Sequence, residues 1–326
     1  DDLHLRLGRQ PVTWNLRAHH GAFYHDSRAD DPLVNSWDGV RLYWQGRNLT
    51  TSAFWYQLDE ANEERNLEGL GTAATRTPNA RDNSLFGVVL DYQPDSEGDN
   101  RLFFTGGASI ELNQRVDATT VADEVIAYYA GFEAELLADV DLYGEGVIQD
   151  GDLRGGGSMA GWGFNIGADY RPPGPLDTVL GIQFDLLSGD DDPDSGDYEA
   201  FSAPWEGVSD TLIVEHERYG ELAELQVGNR QALKLKLEYR FLQERFRVKM
   251  LGAHYQLPEA VDGADTFGTE IDVQINWQYT YWVNLGFMAA AFFPSDGYQN
   301  LIERATGMPG GDDEIYLLGA NAQVVF

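Results

Sequence analysis

The chain has 326 residues, no cysteine and a formal net charge of −32. The absence of thiols excludes a disulfide scaffold, thiolate metal ligands and a cysteine nucleophile, and the acidic balance argues against nucleic acid as a partner. No apolar run reaches the roughly eighteen residues that a transmembrane helix requires, so none is predicted.

Apolar and polar side chains alternate along most of the chain, which predicts β-strands. In residues 270–279 the odd-numbered positions are apolar and the even-numbered ones polar, and residues 233–241 place Lys and Arg opposite apolar side chains. We predict fourteen strands, near residues 3–13, 38–46, 50–59, 83–92, 101–111, 124–136, 139–148, 159–171, 176–187, 230–242, 245–256, 267–279, 281–293 and 314–326.

The predicted strands are long, and the connections between them alternate in length. A tilted strand needs about nine to eleven residues to cross a bilayer, whereas strands of soluble proteins average about five to six. Short turns on the periplasmic side and long external loops are typical of outer-membrane barrels. Long connections are predicted near 14–37, 60–82, 112–123, 149–158, 188–229, 257–266 and 294–313, and short ones at 47–49, 137–138, 171–175, 243–244 and 280, with 94–100 intermediate.

The last predicted strand ends the chain on Phe326, with Tyr316, Leu318 and Val324 on the same face. An aromatic residue at the lipid boundary suits a strand that closes a barrel. The predicted fold is therefore all-β, a transmembrane antiparallel β-barrel forming one domain over residues 1–326, located in the bacterial outer membrane.

Short motifs add a family resemblance. The segment Arg6-Leu-Gly-Arg-Gln10, followed by residues 33–41 with Asp38-Gly-Val-Arg41, resembles the alginate-export family of outer-membrane barrels. Residues 268–272, followed by a strand reaching Phe292-Phe-Pro294, look like the C-terminal pattern of that family. The resemblance implies eighteen strands around a basic pore for an anionic polysaccharide. Either about four N-terminal strands are missing here or the chain is a shorter member, and its acidic composition departs from an alginate exporter.

Basic residues concentrate on two neighbouring predicted strands. Alternation turns Arg6 and Arg41 inward on the first two strands as well, and the resemblance implies the same pore-lining role for Arg9 and Arg41. Rings of Arg and Lys select anions; alternatively, these side chains pair with nearby carboxylates and only fix the shape of the barrel. The complete predicted path comprises Arg6, Arg9, Arg41, Lys234, Lys236, Arg240, Arg245, Arg247 and Lys249, and the candidate carboxylates are Asp185, Glu238, Glu270 and Asp272.

Other candidate sites are weaker. His19, His20 and His25 fall in one predicted loop without regular ligand spacing, and the acidic run 190–197 lacks the pattern of a helix–loop–helix calcium site. We therefore predict no metal site and no cofactor. We also predict no catalytic residues, because no Ser/His/Asp arrangement can be assembled. Loop 188–229 is the longest, and its apolar centre predicts a plug or gate; that centre comprises Phe201, Pro204, Trp205, Leu212, Ile213 and Val214.

The sequence therefore predicts an outer-membrane channel, not an enzyme, that passes an anionic or polar solute (a polysaccharide or small organic anion) along a basic wall. The alternatives are a substrate-specific uptake porin, a structural barrel that sheathes a partner protein or electron carrier, and an outer-membrane hydrolase. The expected partners are outer-membrane lipid, the solute, and a periplasmic or secretion protein, with no nucleic acid.

Overall fold

The computed structural model describes residues 2–11, 36–59, 83–94, 102–113, 121–137, 139–174, 177–192, 195–202, 211–215, 228–242, 245–306 and 310–324. The described residues form fifteen strands and one helix. In chain order these are β1 (Asp2–Pro11), β2 (Ser36–Gln45), β3 (Leu49–Asp59), β4 (Asn83–Tyr92), β5 (Leu102–Leu112), β6 (Ala122–Leu137), β7 (Val140–Leu153), β8 (Ser158–Met159), β9 (Trp162–Tyr170), β10 (Asp177–Leu187), β11 (Arg230–Phe241), β12 (Phe246–Val261), β13 (Ala264–Thr280), β14 (Val283–Pro294), α1 (Asp296–Thr306) and β15 (Ile315–Val324).

All strands belong to one antiparallel sheet in which chain neighbours pair. The order runs from β1 to β15, except that the two-residue β8 pairs only with β7, which then pairs with β9. Within the described ranges, no hydrogen-bonded pair joins β1 to β15. The all-β antiparallel prediction is confirmed, with β8 as an additional short strand.

The two faces of the sheet differ in chemistry. One face, called the outer face below, exposes large apolar side chains on nearly every strand; the opposite, inner face carries the buried and charged side chains. This arrangement suits hydrocarbon outside and water inside. Outer-face residues include Leu5, Leu42, Trp55, Phe86, Leu90, Ile148, Ile166, Ile182, Leu235, Ile271, Phe287 and Leu318.

Aromatic side chains mark the outer face where β11–β14 meet their short turns. Phe246 packs between Phe241 and Trp277, with ring centroids at 4.5 and 6.3 Å. The rings of Tyr281 and Trp282, in the β13–β14 turn, meet edge to face with their centroids 5.0 Å apart. Tyr and Trp side chains near the short turns are typical of a membrane–water boundary.

The long connection predicted at 257–266 is wrong. β12 and β13 continue as a sixteen- and a seventeen-residue strand and meet at a tight turn, Asp262-Gly263. Both turn residues have positive φ, 50° and 82°, which Asp-Gly supplies in a two-residue hairpin. Similarly, the connection predicted at 149–158 is shorter, because β7 runs to Leu153 and turns through three glycines with positive φ.

The connection after β14 contains a helix that strand alternation did not predict. Ser295 lies just before α1, and its carbonyl accepts hydrogen bonds from the amides of Tyr298 and Gln299. Tyr298, Leu301 and Ile302 pack towards the sheet at helical spacing. Among the described residues, no helix is long and apolar enough to span a membrane.

Candidate functional site

The inner face of β11 and β12 carries most of the predicted basic path. In the β11–β12 register Lys236 pairs with Leu251, Glu238 with Lys249, and Arg240 with Arg247. Because strand side chains alternate, the even positions of β11 and the odd positions of β12 share this face. The structure therefore brings Lys234, Lys236, Arg240, Arg247 and Lys249 together on one wall.

The two lysines of this wall that lie nearer the long loops are covered and matched by carboxylates. Lys234, 4% exposed, contacts Asp185 Oδ2 at 2.7 Å and Glu215 Oε1 at 2.8 Å. Lys236 contacts Asp169 Oδ2 at 2.7 Å. These two cations are fixed by charge-assisted bonds across neighbouring elements.

Towards the short turn the wall is more open. Glu238 accepts hydrogen bonds from Arg240 Nε at 2.5 Å and from Arg247 at 2.8 Å. The two arginine side chains remain 35% and 42% exposed, and Lys249 is partly exposed beside them. A solute on this side would therefore meet the exposed parts of two guanidinium groups and an ammonium group.

The other predicted basic residues lie elsewhere. Arg245 is exposed in the β11–β12 turn and donates hydrogen bonds to the carbonyls of residues 278 and 279 at 2.7–3.2 Å, so it tethers this turn to β13. Arg41 is buried and donates to Ser52 Oγ at 3.2 Å. Arg6 lies opposite Arg41, and Arg9 is exposed beside Asp38, at 3.9 Å.

The sequence-based reasoning missed an acidic wall on the same inner face. Strands β4 to β10 contain no Lys, Arg or His at all, although their inner positions carry carboxylates. Asp91 bonds to Thr105 Oγ1 at 2.9 Å and Glu111 to Asn83 Nδ2 at 2.7 Å. The acidic wall could have been predicted by counting acidic and basic residues in each predicted strand. Strand pairing assigns to this acidic wall Asp91, Glu111, Glu133, Glu135, Asp141, Glu145, Asp169, Asp177 and Asp185.

Part of loop 188–229 lies on the inner face, as its apolar centre suggested. Phe201 is buried among inner-face side chains, and Leu212, Ile213 and Val214 are buried against β12–β14 and α1. Pro204 and Trp205 lie outside the described residues. The same loop contributes Glu215 to the partners of Lys234.

The acidic stretch before Phe201 is solvated. Carboxylate oxygens of Asp190, Asp191 and Glu199 lie within 4.8 Å of one another. Repulsion from Asp191 raises the pKa of the Glu199 carboxyl, whereas hydrogen bonds from Ser158 lower the pKa of Asp197. Exposed acidic groups of this kind are common in loops that bind no metal. The predicted loop histidines His19, His20 and His25 fall outside the described residues.

Comparison with known proteins supports this picture at the level of family and fold. The family model described as alginate export matches residues 1–266. Two Pseudomonas aeruginosa structures, OccK10 (OpdN) and OccK5 (OpdH), share 13% and 12% identity with TM-scores of 0.60 and 0.58. The alignments cover 99% and 100% of this chain and 81% and 79% of theirs.

A third similar structure is the outer membrane protein OprD from Pseudomonas aeruginosa. It has a TM-score of 0.56, is 11% identical, and aligns over 99% of this chain and 76% of its own. No curated protein sequence matches the chain significantly. At such low identity these structures establish a shared fold.

Proposed function

This chain belongs to the alginate export family, and we propose that it is an outer-membrane channel for a small polar solute whose anionic group moves along the basic side chains of β11 and β12. Family membership and the porin fold support an outer-membrane location and transport. The path itself rests on the wall described above.

The observation that carries this proposal is the unequal exposure of the wall. Lys234 and Lys236 are held by buried carboxylates, whereas Arg240 and Arg247 bond to Glu238 with 35% and 42% of their side-chain surface still exposed. Lys249 is partly exposed on the same face. These exposed cationic groups lie within reach of a solute, and basic linings favour anions.

The acidic wall supports a second candidate, a channel for a solute with a cationic group. Strands β4 to β10 carry nine inner-face carboxylates and no Lys or Arg. Asp169 and Asp185 are matched by Lys236 and Lys234, and Asp141 contacts Arg171; the remaining carboxylates give that side a negative field. A solute carrying charges of both signs would fit both walls. Arg240, Arg247 and Lys249 would then orient such a solute rather than select it.

Reversal potentials in a salt gradient separate these functions. In planar bilayers we expect the wild type to conduct, and Arg240→Gln/Arg247→Gln/Lys249→Gln to lose anion preference. Arg245→Gln is the control, because it removes one positive charge at the same end from a side chain bound to backbone carbonyls. A wild type that prefers cations favours the second candidate, and a folded protein without conductance refutes the channel in favour of the sheath.

A further inference from the structure

Residues 211–215, called the inner segment below, are held to the inner face by backbone amides. The amide of Leu212 donates to Asp272 Oδ2 at 2.9 Å. The next two amides, of Ile213 and Val214, donate to the two oxygens of Glu270 at 2.6 and 2.9 Å. Three consecutive amides therefore end on two carboxylates of a single strand.

Both ends of the inner segment are also fixed. Glu215 contacts Lys234 Nζ at 2.8 Å and Arg230 at 3.3 Å. Tyr255 donates its hydroxyl hydrogen to Thr211 Oγ1 at 2.9 Å. The contacts of the inner segment therefore extend over three neighbouring strands, β11, β12 and β13.

The apolar side chains of the inner segment are as buried as a protein core. Leu212, Ile213 and Val214 are 2–4% exposed. Together with α1 they add a layer of protein to the inner face at the long-loop end. The cluster that receives them includes Tyr255, Leu257, Phe267, Ala290, Phe292 and Tyr298.

The same loop is attached to a second, distant part of the wall. Gln149 of β7 donates to the carbonyl of Ser202 at 2.6 Å and accepts from its amide at 3.0 Å. Phe201 packs there against Val147 and Leu187. The described parts of this loop therefore contact the sheet at β7 and again at β11–β13.

Glu270 and Asp272 rely on the inner segment for hydrogen-bond donors, and the inner segment relies on them for acceptors. Both carboxylates are at most 1% exposed, and a buried charge is costly without hydrogen-bond donors. Amide donors from the segment bind both oxygens of Glu270 and one oxygen of Asp272, so removing the segment leaves these three buried acceptors without their amide donors, and removing the carboxyl groups leaves the three amides without acceptors. Ordinary lumen-lining carboxylates would face water instead.

We propose that Glu270 and Asp272 act as positioning residues that hold the inner segment against the wall, and that this attachment sets the size limit of the channel. The inference rests on the proposed channel function. It assigns to the two carboxylates a role in pore dimensions, distinct from any contact with solute.

Cysteine labelling tests the attachment without requiring conduction. The chain has no cysteine, so Val214→Cys provides a single buried thiol for a charged maleimide. We expect Glu270→Gln/Asp272→Asn to speed labelling about tenfold or more. Both oxygens of Glu270 accept amides, whereas Gln has one acceptor oxygen and one NH₂ donor, so the segment opens more often. Tyr255→Phe should give a smaller increase, and Asn276→Ala, on the same face of β13, should give none.

Conductance tests the consequence for the pore. The double variant, shown to be folded by its heat-modifiable gel mobility, should pass larger neutral polyethylene glycols than the wild type and show more current noise. Unchanged labelling and an unchanged size limit in a conducting double variant would overturn the inference. A wild type that folds but never conducts would instead refute the channel function, while the labelling result would still report the attachment.

Discussion

The buried contact between Lys234, Asp185 and Glu215 offers the sharpest test of how this sheet is stabilised. Lys234→Met keeps most of the side-chain volume and removes the charge. Arg230 remains 3.3 Å from Glu215, and Gln183 Nε2 still donates to Asp185 at 2.9 Å. Asp185, 3% exposed, thereby loses the ammonium group 2.7 Å from its Oδ2.

Breaking a buried ion pair from one side costs about 3–5 kcal/mol. Because Arg230 and Gln183 retain part of the compensation, we expect the lower end, a fall of about 3 kcal/mol in the free energy of unfolding. Adding Asp185→Asn should recover most of this loss, because the uncompensated charge is then removed together with its partner.

Urea unfolding of the protein folded into lipid vesicles, followed by tryptophan fluorescence, measures this difference. Arg154→Met is the matched control, since Arg154 and Asp123 form an ion pair at 2.8 Å whose side chains are 35% and 49% exposed. Such a pair contributes below about 1 kcal/mol. Equal losses in the two variants, or no recovery with Asp185→Asn, would refute the argument that burial makes the Lys234 contact costly to break.

Three further outcomes are expected. Gly107→Ala should destabilise the sheet by about 1–3 kcal/mol, because a Cβ there would lie 2.3 Å from a carbonyl oxygen of β4, whereas Gly252→Ala, with nothing within 4 Å, should change the same urea midpoint little. Leu235→Arg, on the outer face at the middle of β11, should cost about 2–4 kcal/mol, and Leu242→Arg, in the short turn, about 0–1 kcal/mol; equal costs in vesicle unfolding would argue against the assigned lipid face. Glu199→Gln should slow amide exchange in residues 188–192 at pH 7, because the raised pKa of Glu199 means that its ionisation is disfavoured in the folded loop. Stability from this group is present at low pH and lost as pH rises through its pKa, so the difference should vanish near pH 4.

Strand alternation predicted the sheet well because each long strand separates apolar from polar side chains along its whole length. It predicted connections less well. Asp262-Gly263 is a hairpin signal, but Pro258 lies just before it, so the stretch resembled a loop. Helix α1 is short, and its sequence signals were few: Ser295 before it, Asp296 in its first turn and three apolar positions.

The basic wall shows a different limit. Alternation placed Lys234 and Lys236 on the inner face, but not the carboxylates that meet them. Asp169 lies 67 residues before Lys236, and Glu215 belongs to a loop with no periodic pattern. Which Lys and Arg side chains remain accessible to a solute depends on these carboxylate partners, which are distant in sequence. The local sequence pattern does not show which residues the fold brings together.

The length of the β12–β13 hairpin has a consequence for the cell surface. Its strands have sixteen and seventeen residues, about six more than a bilayer crossing requires, so the hairpin extends roughly 15–20 Å past the hydrocarbon on the long-loop side. Helix α1 packs against the base of this extension. In the orientation that the loop lengths predict, this ordered hairpin projects among the polar head groups and sugars on the external side of the membrane.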